Sequence, residues 1–373
     1  MSGRTTRARL LGSAGLGLLL GQGGCVDEPA CGAAVGDLCL VVGTGDFGFN
    51  GDGLAPERSD LYLVSAARRG PDARLYVMDF NNQRLRRSDD AGLLETYVGN
   101  GEHAIADLDA DRLATPLENP IDFGFLADRR LVFVSYHDPR VLTLADDGTL
   151  DLVAGAADGS PGLIGDEGDG GPASEARFIQ LDGLVVGPDD AIYVSDSLAH
   201  RVRRIVDGSI ETVAGTGEGA YAGDGGPGIE AALYWPTALE LDADGNLYIA
   251  DTFNHVVRRL APDGTISTVV GTGAEGFAGD GGPASAASLS EPFGLALDVD
   301  GSLYVSDRGN HRIRRVDPSG IIDTVVGTGV DGLGRAGPAL DSPLGYPARV
   351  AVDGDHLLIA DQSNAMVWSL RLR

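Results

Sequence analysis

The sequence predicts an all-β chain, a six-bladed β-propeller closed by its N-terminal strand pairing into the last blade. Three observations predict it. A four-strand pattern recurs after residue 38 at steps of 54 to 61 residues. Glycine is abundant, 56 of 373 residues, with no collagen period, as a fold of many tight turns requires. The last copy stops one strand short, and that strand precedes the first copy. Short strands repeating at this period are the signature of propeller blades.

The elements run in order from an expected export signal over residues 1–24. Arg4, Arg7 and Arg9 form a basic start, and Leu10 to Leu20 form an apolar stretch too short to span a bilayer as a helix. That stretch ends at Gln22-Gly23-Gly24-Cys25, which resembles a bacterial lipoprotein box, although Leu is usual where Gln22 stands. The resemblance implies lipidation of Cys25; the alternative is ordinary signal cleavage nearby. Residues 25–37 read as a short linker, and 38–373 as the propeller. The three cysteines lie at 25, 31 and 39, upstream of the repeats. With Cys25 lipidated, Cys31 and Cys39 are left as a candidate disulfide in an oxidising compartment, or as two free thiols.

The clearest repeat runs Pro292 to Asp298 (PFGLALD), Gly301 to Asp307 (GSLYVSD), Asn310 to Val316 (NHRIRRV) and Gly320 to Gly329 (GIIDTVVGTG). The acid ending the second strand recurs as Asp79, Asp196, Asp251, Asp307 and Asp361, with Ser135 in the second copy, which gives six copies. Each has four β-rich runs, named a to d here, separated by turns such as Asp244-Gly245-Asn246 that supply positive φ. The last copy has a (Ala348 to Asp353), b (Leu357 to Asp361) and c (Val367 to Leu372) and then ends. Leu38 to Gly45 (LCLVVGTG) is the missing strand d, and its pairing would satisfy an otherwise open edge. Helix is expected only as one turn near residues 283–287.

The pattern Pro-x-Gly-Leu-Ala-Leu-Asp, Gly-x-Leu-Tyr-Val-x-Asp, Asn-His-Arg-Ile-Arg resembles the NHL repeat. Copies four and five match best and copy two worst. The resemblance implies the fold strongly and the function weakly, because NHL propellers include protein-interaction, RNA-binding and sensor domains and a few enzymes.

Charge excludes one of these classes. There are 55 acidic against 28 basic residues, all of the latter Arg, for a net charge of −27. Such a chain repels phosphate backbones, so no nucleic acid is expected as partner. Membrane association is expected only through the lipid anchor, which places the chain outside the cytoplasm, envelope-anchored or secreted.

Candidate site residues fall into two sets. The repeated ones read as structural: His200, His255 and His311 as intrablade hydrogen-bonding groups, the strand-c arginines as partners of nearby acids, and the Gly-rich d-to-a loops with Asp224 and Asp280 as turns. The second set departs from the repeat. Asp60, Asp122 and Asp182 near the start of strand a, with Glu240, are the metal candidates, because carboxylates at a channel mouth suit a hard cation such as Ca²⁺. Otherwise no cofactor is implied. Tyr234, Trp235 and Arg349 are the ligand-binding candidates. His103, His137 and His356 read as scattered over different blades, and no Gly-x-Ser-x-Gly elbow accompanies them. With no catalytic residue identified, the expected function is a non-enzymatic scaffold binding a protein, peptide or glycan on its loop face. The alternative is a metal-assisted lyase or lactonase-like hydrolase.

Overall fold

The computed structural model describes residues 34–163 and 165–373. The expected signal, Cys25 and Cys31 lie outside the described residues. Cys39 is disulfide-bonded.

Six antiparallel sheets form, each carrying the order a-b-c-d, and in blades five and six a two-residue strand, Gly282–Pro283 or Gly337–Pro338, is added outside d. Blade one comprises Val64–Arg69, Leu75–Asp79, Arg84–Ser88 and Leu94–Val98. The inner strands of the next five are Pro120–Phe125, Leu181–Val186, Pro236–Leu241, Pro292–Leu297 and Pro347–Asp353. Neighbouring inner strands adjoin all the way round, the sixth against the first, so the ring is closed. Asp37–Val42 is strand d of blade six, pairing antiparallel with Met366–Arg371 in the register Leu38 to Leu370 and Leu40 to Trp368. Leu38 and Val42 are fully buried there, so closure adds apolar burial to backbone pairing.

The core is laminar. Each of six apolar clusters lies between two blades, as where Ile121, Val132 and Val134 of blade two meet Leu184, Ile192 and Val194 of blade three. This follows from two-residue alternation: one face of every sheet turns to the preceding blade and the other to the next. Among the described residues helix is limited to single 3-10 turns, of which Ala284–Ala286 is the one anticipated.

The repeated polar residues build the frame. Arg86, Arg203, Arg258 and Arg314 of strand c are fully buried, and each meets the acid of a Gly-rich loop: Asp52 at 3.0 Å, Asp169 at 2.6 Å, Asp224 at 2.7 Å and Asp280 at 2.6 Å. Those loop carboxylates therefore serve ion pairs. The strand-b acids accept backbone and Asn hydrogen bonds, as Asp251 does from Tyr234 N at 2.7 Å and Asn254 Nδ2 at 2.8 Å.

The repeated histidines hold blades to one another, which corrects the intrablade expectation. His200 and His255 each occupy a left-handed position closing the b-to-c turn. Their Nδ1 atoms accept from the next blade, from Trp235 N and Glu291 N, both at 3.2 Å. Gln83 does the same for Asn119 N at 2.7 Å. Because Asn119, Trp235 and Glu291 are themselves left-handed, the contact pins a backbone conformation that L residues rarely adopt.

Candidate functional site

Every inner strand is bulged just after its first residue pair. Bulges re-aim side chains, and here they lie where the strands meet the axial channel. Asp122 and Arg349 occupy the same place after the bulge, in blades two and six.

Arg349 and Asp122 close the channel. Arg349 is 2% exposed; its Nε lies 2.7 Å from Asp122 Oδ2, and its Nη2 donates to the Asp182 carbonyl in blade three. Asp122 Oδ1 also accepts from Arg68 Nη2 of blade one at 2.9 Å, and its Oδ2 from Leu184 N at 3.1 Å. One buried carboxylate thus joins four of the six inner strands.

Asp182 stands one residue earlier on its strand and is fully buried. Burial raises it above the usual carboxylate range, opposed by a hydrogen bond from Ser197 and the charge of Arg349. Glu240 lies nearer the opposite mouth, in a cavity of about 290 Å³ lined mainly by Val185, Val186, Leu297 and Val350 with Arg68. Solvent reaches Glu240 along the channel, but protein surrounds it. Burial pushes it to about 7, with Arg68 opposing and Asp122 adding to the rise. Asp60 is four residues before strand a, in the d-to-a loop, where it accepts from Thr44 Oγ1 at 2.6 Å. This corrects its assignment to the start of that strand. The four metal candidates therefore make no common site: Asp122 is committed to two arginines, and Asp60 is off the axis.

The loop face carries the aromatic residues. Tyr234 is 40% exposed and packs edge-on against His200 and Phe253, with ring centroids 5.4 and 5.3 Å away. Trp235 is half-buried and tilted against Phe253 at 5.5 Å. In the next blade, the Arg308 guanidinium lies 4.4 Å from the ring centre of Phe293 and 5.4 Å from that of Tyr346. Of the ligand-binding candidates, Tyr234 and Trp235 thus share one patch, while Arg349 is buried in the channel.

One constellation was missed. His103 Nε2 lies 2.7 Å from Glu118 Oε1, and His137 Nδ1 lies 3.5 Å from the same oxygen. The sequence does not single out Glu118 and scatters the two histidines; the structure brings all three together. The signal was positional: all three depart from the residues at corresponding places in the other blades.

This is a six-bladed all-β propeller whose channel is closed by an ion-paired clasp and whose loop face is aromatic. The Teneurin NHL domain model matches residues 272–342. NHL repeat-containing protein 2 of Bos taurus is 34% identical over 38% of this chain and 21% of its own length. Human Teneurin-4 is 30% identical over 86% of this chain and 12% of its own length. The chain is a six-bladed β-propeller whose repeats are similar to the NHL repeats of these proteins. It spans 24% of the Suppressor of Quenching 1 protein of Arabidopsis thaliana, which is 30% identical over 65% of this chain, and 6% of Drosophila melanogaster Teneurin-m. Among solved structures, an auxiliary nutrient binding protein from Bacteroides thetaiotaomicron superposes with a TM-score of 0.65 at 14% identity, covering 89% of this chain and 75% of that one. A gluconolactonase from Xanthomonas campestris gives 0.54 at 16%, covering 84% and 87%. These two likenesses are of fold.

Proposed function

We propose that the chain is a non-enzymatic binding module held outside the cytoplasm by a lipid on Cys25, with its loop face engaging a protein, peptide or glycan. The observation that carries this reading is the Tyr234, Trp235 and Phe253 patch. Aromatic side chains on a stiff frame present large contact area at little cost in conformational entropy. The frame is stiff because His200 and the buried Arg258 fix the turns bearing them. Envelope display accords with the disulfide at Cys39, since such bonds persist in oxidising compartments.

Binding to peptide and glycan arrays tests the reading. A ligand should be retained by the unmodified chain and lost with Tyr234→Ala or Phe253→Ala, both variants folding normally. A ligand retained by both variants would move the site elsewhere. Anchoring is tested separately: Cys25→Ala should release the chain from the membrane fraction.

The alternative is a metal-assisted hydrolase or lyase, and the His103, Glu118 and His137 grouping favours it. Hydrolysis of simple lactones that is lost with chelator would support it.

A further inference from the structure

We propose that His103, Glu118 and His137 form a binding site for a divalent transition-metal ion of the zinc class, on the loop face where blades one and two meet. The inference stands independently of the aromatic patch and of any reaction.

The geometry comes first. One ligand atom from each residue lies within 4.8 Å of the others. Metal bonds of 2.0–2.2 Å in a tetrahedron set ligand atoms about 3.4 Å apart. The Glu118 Oε1 to His137 Nδ1 separation of 3.5 Å already matches that edge, and the 2.7 Å separation to His103 needs only a small rotation of an exposed ring. The backbone brings the three together. His103 makes a parallel bridge with Leu117, next to Glu118, and His137 N donates to the Glu118 carbonyl at 3.5 Å. Tyr136 packs edge-on against the His137 ring at 4.7 Å and limits its rotation.

The repeat supplies the second argument, because the same bridge recurs at other blades with different residues. Phe47 bridges Leu61, Gly219 bridges Leu233 and Glu275 bridges Leu289. The residue after each leucine is Tyr62, Tyr234 or Ser290, and its carbonyl accepts from Asn81, Phe253 or Gly309 respectively. The three corresponding positions therefore hold Phe-Tyr-Asn, Gly-Tyr-Phe and Glu-Ser-Gly at those blades. At the junction of blades one and two they hold His-Glu-His. The frame is unchanged and only the side chains differ, so the turn geometry does not demand them.

Ligand type selects the metal. Two imidazoles and one carboxylate suit Zn²⁺ and its neighbours, whereas Ca²⁺ takes six to eight oxygens. Three protein ligands leave a fourth position for water or an external ligand, and both histidines are exposed, so that position is accessible.

The test uses the full chain, stripped of metal by chelator and dialysed against Zn²⁺, with Co²⁺ as the spectroscopic probe. The expected result is one equivalent of Zn²⁺ retained in excess Ca²⁺, and intense visible Co²⁺ bands of four-coordinate type. Glu118→Gln, His103→Asn and His137→Asn should each weaken binding by more than about 100-fold, since even outer-shell changes cost 10–100-fold. Asp280→Asn should not. Failure to retain Zn²⁺, or equal retention by the three variants, would overturn the site. Should a variant fold poorly, the Co²⁺ spectrum of the unmodified chain decides alone: the weak bands of six-coordinate, all-oxygen Co²⁺ would overturn it.

Discussion

The axial channel and the junction of blades one and two both gather ionisable side chains, and they use them in opposite ways. In the channel, Asp122 is fully engaged by Arg68, Arg349 and Leu184 N, and its partners come from three other strands. At the junction, Glu118 meets two exposed histidines, and its backbone frame also exists in blades lacking these side chains. Removing one partner of a buried ion pair leaves an uncompensated charge and is costly, whereas exposed pairs contribute little. Burial therefore separates residues that hold the fold from residues free to serve a ligand.

The comparison can be sharpened by experiment. A large effect is expected from Arg349→Met, which leaves Asp122 without one of its two cations. Urea unfolding should show a loss of about 3 kcal/mol, and a loss below about 0.5 kcal/mol would refute the clasp.

Next comes pH. Burial holds Asp79, Asp251 and Asp361 near 6 and Asp196 and Glu240 near 7. Unfolded carboxyls titrate near 4. Between about pH 4 and 7 the folded chain thus holds more protons, and stability should increase as pH falls through that window. Surface acids such as Asp147, Asp263 and Asp317 are lowered by hydrogen bonds from nearby Thr or Ser and work the other way. Their contribution is lost only as pH drops below the unfolded value. Melting temperature against pH should therefore peak near 4 to 5, and Glu240→Gln should flatten the slope between 5 and 7. An unchanged slope would remove Glu240 from the account.

A smaller effect is expected from His200→Ala, which deprives Trp235 N of its acceptor. A loss of about 1 kcal/mol in urea is predicted, typical of one hydrogen bond. No loss would show that the blade-to-blade contact is incidental.

The fold was legible because repetition states each strand several times over, and because the missing strand d of the last copy had a visible counterpart at Leu38 to Gly45. Two misreadings had physical causes. Asp60 is displaced from strand a because the first copy has Val64 where Pro236, Pro292 and Pro347 mark the start of that strand in copies four to six. The His103, Glu118 and His137 grouping was hidden because its members are 15 and 19 residues apart along the chain. They meet through a parallel bridge and a carbonyl contact that other blades share with different side chains, so the repeat pattern itself does not single them out. The histidines at 200 and 255 were recognised as structural, but that they tie one blade to the next depends on the left-handed turns that aim them.

The most direct test is urea unfolding of Asp122→Ala beside Glu118→Ala. The account predicts a loss of about 3–5 kcal/mol for the channel variant and less than about 0.5 kcal/mol for the loop-face variant. Equal losses, or an Asp122 variant as stable as the unmodified chain, would contradict the division between a channel that holds the ring together and a loop face that carries its chemistry.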